Sequence, residues 1–191
     1  WSIAQKCGVT INHKAVLRLM NQLGIRSVAR KRRIYKNSQL ETYHRYPNRL
    51  NRDFTATQPN QKWVTDVTYI LTQEGWAYLS TIKDLYDNFI VAHQFGRENS
   101  VALVQQNLRK AKLKEKVTDG LILHSDQGQQ YTSQAYHVLT AEYNITPSMS
   151  RRGNCWDNAP MENFFGHLKE EAIRQYKSLS FEEAQQIIDD Y

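Results

Sequence analysis

The sequence predicts an α/β domain built on a mixed five-stranded sheet with flanking helices, preceded by a small helical module. Two observations carry this: three strand-like runs follow one another closely from Trp63, and helical and strand patterns then alternate to the end. A third sets the boundary. Residues 1–53 carry twelve Lys or Arg against two acids, whereas residues 54–191 carry thirteen against seventeen. The expected organisation is a helix-turn-helix-like module over 1–26, a basic linker over 27–61 and the sheet domain over 62–191.

In the first module, Asn12–Leu23 reads as a helix: Asn12 can cap it, Ala15, Val16, Leu19, Met20 and Leu23 form an apolar stripe, and Gly24 supplies a stop. An earlier helix over Ser2–Cys7, ending at Gly8, would make a helix-turn-helix that offers Asn12, His13, Lys14 and Arg18 to DNA. Helix pairs of this size more often simply pack. Arg30, Lys31, Arg32 and Arg33, with Lys36, form a basic run without periodicity, and the stretch to Gln61 holds Pro47, Pro59 and many Asn, hence the linker. So cationic a segment suits a polyphosphate partner, because each neutralised phosphate releases counterions; the alternative is a solvated basic linker.

From Trp63 the residues become β-branched and aromatic. Trp63–Leu71, Trp76–Lys83 and Asn88–Phe95 read as strands, with Gln73-Glu74-Gly75 as a turn between the first two. Ser100–Lys114 places Val101, Val104, Leu108 and Ala111 on one helical face. Gly120–His124 is a nearly all-apolar run suited to a buried central strand. Ser133–Tyr143 is predicted helical, Ile145–Met149 a strand and Ser150–Ala159 a polar loop. Pro160, with Asn158 as a cap, opens a helix to about Gln175, and Ser180 to Glu183 form a capping box for a last helix. Three antiparallel strands extended by two crossover-linked strands are the arrangement of ribonuclease-H-like domains.

That arrangement sets the first and fourth strands side by side, which brings Asp66 and Asp126 together. Asp66 sits in the apolar run WVTDVTYI, where a charge is costly unless compensated, and Asp126 ends GLILHSD ahead of a Gln127-Gly128 turn. On the helix from Pro160, Met161, Phe164, Phe165, Leu168 and Ala172 form the buried stripe, while Glu162, Gly166 and Lys169 share the neighbouring face. Singly, each acid has an ordinary explanation as a turn residue, a cap or a helix-dipole partner. Three converging carboxylates would repel one another unless cations neutralise them, and two Mg²⁺ ions, or Mn²⁺ in their place, are the expected cofactors. Two such ions roughly 3.5 to 4 Å apart suit an in-line phosphoryl displacement.

HSDQGQQYTS (124–133) followed by SMSRRGNCWDNAPMENFFGHLKEE (148–171) resembles the catalytic signature of the insertion-sequence-three (IS-three) family of bacterial transposases, relatives of retroviral integrases. Thirty-five residues separate Asp126 from Glu162, the spacing that family shows, and NHKAVLRLMNQLGI resembles the helical segment preceding its core. The resemblance implies that Asp66, Asp126 and Glu162 are catalytic metal ligands and that Lys169 contacts DNA beside them. It gives Arg151 and Arg152 a phosphate-binding role, the alternative being a solvated surface pair, and lets Trp156 and Asn158 order their loop or simply anchor and cap; His124 is either an assistant near the metals or a packed histidine.

The implied reaction is water-driven cleavage that exposes a 3′ hydroxyl, which then attacks another phosphodiester, with no covalent protein intermediate. The implied partners are double-stranded DNA at element ends and target, further copies of the protein on that DNA, and the DNA-binding region encoded in the upstream frame. The alternatives are a ribonuclease-H-type nuclease that only hydrolyses, disfavoured because Ser100–Lys114 contains no acid, and an inactive DNA-binding fragment.

Composition excludes other classes. With 191 residues and 40% hydrophobic content the chain can bury a core, and no run nears the roughly 18 to 20 apolar residues that span a bilayer, so a soluble, cytoplasmic protein is expected, nucleoid-associated when on DNA. Cys7 and Cys155 are too few for a disulfide framework or a zinc module, and neither is assigned chemistry. Trp1 and Tyr191 read as the ends of a fragment.

Overall fold

The structure is a computed structural model and describes residues 12–25, 44–115, 117 and 120–191. The chain divides into two units, residues 1–40 and 41–191. In the first, α1 spans His13–Gln22, and the Asn12 side chain accepts from the Lys14 N–H at 2.9 Å, the expected cap. Gly24 follows with φ +66°, a left-handed stop that a side chain would resist. Ala15, Val16 and Met20 are half-buried, but Leu19 and Leu23 are exposed. The earlier helix over Ser2–Cys7 lies outside the described residues, as do Arg30, Lys31, Arg32 and Arg33.

In the second unit, β1 (Lys62–Thr72), β2 (Gly75–Asp84) and β3 (Ile90–Gly96) form the antiparallel meander. Helix α2 (Val101–Lys114) crosses to β4 (Ile122–Ser125), and the short α3 (Gln129–Thr132) with α4 (Gln134–Glu142) crosses to β5 (Thr146–Met149). The sheet order is β3-β2-β1-β4-β5, with β4 parallel to both β1 and β5. This is the ribonuclease-H-like arrangement read from the order of elements.

Alternation along β1 divides the core. Trp63 points into a layer with Val104, Leu108, Leu123, Tyr131 and Leu139, whereas Val64 and Ile70 point into the other, with Leu79, Phe165, Leu168 and Ile188. Each large side chain so buried contributes roughly 1.5–3 kcal/mol. Side chains cap two further helix starts: Ser100 accepts from the Leu103 N–H at the start of α2, and, as the sequence indicates, Ser180 with Glu183 forms a complete capping box for α6 (Phe181–Asp190).

Two features depart from the sequence reading. Residues 44–61 do not behave as a linker: Leu50 is 2% exposed, the His44 N–H donates to the Thr132 carbonyl, and the Pro47 carbonyl accepts from Met149. These anchors are isolated residues in an aperiodic, Pro- and Asn-containing stretch, so no pattern betrays them. The helix read from Pro160 to Gln175 is α5 (Ala159–Leu168) followed by a single π-helical turn over Lys169–Ile173, in which the Arg174 N–H reaches five residues back to the Lys169 carbonyl at 2.8 Å.

Candidate active site

The site begins with strand register. The parallel β1–β4 ladder pairs Val64 with His124, so Asp66 and Asp126 each stand two residues beyond the same rung, Asp66 in the middle of the longer β1 and Asp126 just past the C-terminal end of β4. Their carboxylates therefore emerge level with each other. Asp66 Oδ1 accepts from the Val67 N–H at 2.8 Å, and Asp126 Oδ1 accepts from the Gly128 N–H at 2.8 Å.

Glu162 arrives from the first turn of α5, whose neighbouring face is fixed by the buried Met161, Phe165 and Leu168. All three acids line one cleft of about 490 Å³ with Gly128, Arg151, Arg152 and Asn158. Burial and then the charge of Asp126 push the Asp66 carboxyl up to about 7; Glu162 adds to this, while the Val67 N–H and the Lys169 ammonium oppose it. Burial raises the Asp126 carboxyl too, against the Gly128 hydrogen bond. Asp66 thus senses Asp126 and Glu162 as like charges in the cleft.

Lys169 opens the π turn. Its Nζ lies 4.7 Å from the centroid of the Tyr69 ring, and burial, with Arg174 nearby, lowers its pKa against the attraction of Asp66. Lys14 and Arg18 are exposed on α1, in the other unit.

The loop before α5 is held by a residue the sequence reading missed. Asp157, in the 3₁₀ turn Cys155–Asn158, has a side chain with no solvent exposure, and its two oxygens receive Arg151 Nε at 2.8 Å, Arg151 Nη2 at 2.7 Å and Arg52 Nε at 2.8 Å. The Arg151 backbone N–H adds a fourth bond at 3.0 Å. Arg151 is thus engaged in a fork-to-carboxylate pair, while Arg152 is exposed at the cleft. Trp156 is 69% exposed, so it does not order the loop by burial. Asn158 is buried and donates to the Thr65 carbonyl at 3.4 Å instead of capping α5 with its side chain, which leaves its Oδ1 without a partner.

His124 is fully buried between two hydroxyls, Ser148 Oγ at 2.8 Å from Nδ1 and Ser150 Oγ at 3.1 Å from Nε2. Burial pushes its pKa down to about 4, which leaves a neutral, packed imidazole at pH 7. Cys155 is an exposed free thiol on the cleft wall.

The donors at the cleft are hard oxygens: three carboxylates line it, and the Asn158 beside them keeps a buried amide oxygen without a partner, a set that suits Mg²⁺ or Mn²⁺. Among the described residues no group of three or more His, Cys, Asp or Glu side chains stands arranged to hold a metal ion. An ion here would complete its shell with water and phosphate oxygens, as Mg²⁺ habitually does.

Two family models, both described as Integrase core domain, match residues 56–155 and 143–191. The chain is 41% identical over 183 residues to an uncharacterized transposase-like protein of Haemophilus influenzae, covering 96% of this chain and 84% of that one. It is 42% identical over 166 residues to the putative transposase InsK for insertion sequence element IS150 of Escherichia coli, covering 87% of this chain and 58% of that one. A chain of the simian T-cell lymphotropic virus intasome, solved with PP2A regulatory subunit B56 gamma, superposes with a TM-score of 0.57 at 18% identity over 70% of this chain and 45% of its own, a likeness of fold alone. The chain belongs to the integrase-core family of insertion-sequence transposases.

Proposed function

We propose that the chain is the catalytic core of a transposase that cuts and joins DNA strands to move an insertion sequence, with Asp66, Asp126 and Glu162 as its catalytic acids. The observation that carries this reading is the level placement of Asp66 and Asp126 on adjacent parallel strands, in one cleft with Glu162.

Asp66, Asp126 and Glu162 would hold two Mg²⁺ ions, with Mn²⁺ as a substitute. When bound, such ions activate the attacking hydroxyl and stabilise the leaving oxygen in an in-line displacement. Phosphates would be held by Arg152 at the cleft and by Lys169 beside it, and Arg151 would set the loop through Asp157. Lys14 and Arg18 on α1, with the basic run Arg30, Lys31, Arg32 and Arg33, would bind DNA through its backbone. The expected setting is the bacterial cytoplasm, as an oligomer on double-stranded DNA with the upstream-frame region supplying address. Among the described residues no helix is long and apolar enough to cross a membrane.

The test separates joining from mere hydrolysis. A full-length version is incubated with Mg²⁺ and labelled element-end DNA bearing either a 3′ hydroxyl or a 3′ deoxy terminus. Joined products from the hydroxyl substrate alone are expected. Nicked DNA without joined product from either substrate would identify a hydrolytic nuclease and overturn the proposal.

A further inference from the structure

Lys169 also lines a second groove, of about 310 Å³, that contains none of the three acids. Its walls come from two places far apart in sequence: Tyr69 and Trp76 on the β1–β2 hairpin, and Arg174, Tyr176 and Lys177 after the π turn. Tyr69 and Trp76 are 60% and 54% exposed and meet edge to face, with ring centroids 5.1 Å apart and planes at 86°.

These rings are held in place. The Gln73 N–H donates to the Leu179 carbonyl at 2.8 Å and the Phe181 N–H donates to Glu74 Oε2 at 2.9 Å, which ties the hairpin tip to the segment leading into α6. Ile70 and Leu179, which also line the groove, are buried. A partner that stacks here loses little to ordering of the protein.

Charge selects the partner. Lys169, Arg174 and Lys177 line the groove, and none of the described lining residues is acidic, although Arg174 also pairs with Glu170. A second copy of the chain related by a two-fold axis would set these cations against themselves. Exposed aromatic rings beside cations are instead the chemistry that binds unpaired nucleic-acid strands, through base stacking and phosphate attraction. The groove adjoins the acids through Lys169, which stacks on Tyr69 and whose charge is felt by Asp66.

We propose that this groove holds unpaired nucleotides of the DNA strand that is processed at the acidic cleft, with Tyr69 and Trp76 stacking on bases and Lys177 drawing in the backbone. The proposal rests on the transposase reading for the identity of the strand, but binding can be measured without chemistry. Fluorescence anisotropy in EDTA would follow a labelled oligothymidylate of about twelve nucleotides, and a blunt duplex of about twenty base pairs, titrated with the full chain.

Trp76→Ala is expected to weaken the oligothymidylate about tenfold, with Trp76→Phe within about threefold of the parent and duplex affinity changed less than about twofold. Lys177→Glu, at an exposed position that perturbs no packing, is expected to weaken the oligothymidylate by a similar factor. Unchanged oligothymidylate affinity in both variants would overturn the proposal, as would equal losses on the duplex. So would a Trp76→Ala variant that only dissociates a homodimer. Asp126→Asn separates the two readings: if it still joined strands, the catalytic assignment would fail while the groove result stood.

Discussion

The Gly128 backbone N–H holds Asp126 Oδ1 at 2.8 Å, and a Cβ built on Gly128 would lie 2.9 Å from that same oxygen. One residue therefore both fixes the carboxylate and leaves it room. The backbone at Gly128 has φ −60°, open to any residue, so an added methyl conflicts with the side chain it faces and not with its own conformation. Gly128→Ala is expected to turn the Asp126 carboxylate away and lower strand joining by about tenfold or more, because misplacing a reacting group by about 1 Å can cost about 100-fold. Stability should move by less than about 1 kcal/mol, since the short side chain can rotate. A joining assay beside a thermal melt checks both halves.

The Asp157 carboxylate is buried on Arg151 and Arg52, and those hydrogen bonds hold it well below the usual carboxylate range. Its folded pKa lies under its unfolded one, so its contribution is present above the unfolded value and is lost as pH falls below about 4. Asp157→Asn should cost about 2 kcal/mol near neutrality, less than a wholly interior pair because both arginines are half-exposed. Urea melts at pH 7 and pH 3 are expected to show the gap between variant and parent narrowing at the lower pH.

Asp66 works the other way. Its folded pKa, pushed up to about 7 by burial and Asp126, exceeds the unfolded value near 3.8, so metal-free stability from this group is greatest below about pH 4 and falls as pH rises through 7. Asp66→Asn is expected to raise the melting temperature at pH 8 in EDTA while it abolishes joining. An Asp66→Asn protein that melted lower than the parent at pH 8, with its fold intact by circular dichroism, would count against the like-charge account of the cleft.

Leu50 decides where the sheet domain begins. At 2% exposure it packs with Val64, Leu79 and Phe165 in one core layer, and Leu50→Ala should cost about 2–5 kcal/mol. In a solvated linker the same change would be near neutral.

The sequence made some of this legible for stated reasons. The β-branched and aromatic run from Trp63, and the order of elements, were enough to set β1 against β4 and so Asp66 against Asp126. The 3.6-residue stripe of Met161, Phe165 and Leu168 left Glu162 on the neighbouring face. What stayed hidden depends on contacts without local pattern. Arg52 and Asp157 are 105 residues apart, and nothing in a basic, proline-containing stretch singles out Arg52 as the partner of a buried acid. The π turn at Lys169 is a change of hydrogen bonding, with no residue type that marks it. Tyr69 and Trp76 read as ordinary strand residues until the hairpin is seen to extend past β4, whose ladder with β1 ends at Val64.

The most direct measurement compares the parent with Asp126→Asn, full-length and at equal concentration, for joining of labelled element-end DNA in Mg²⁺ and in Mn²⁺. Joined product is expected from the parent in both metals, with a loss of about 1,000-fold or more in the variant, whose amide removes a charge from the proposed ion site while it keeps the size of the side chain. Equal joining by parent and variant would contradict it.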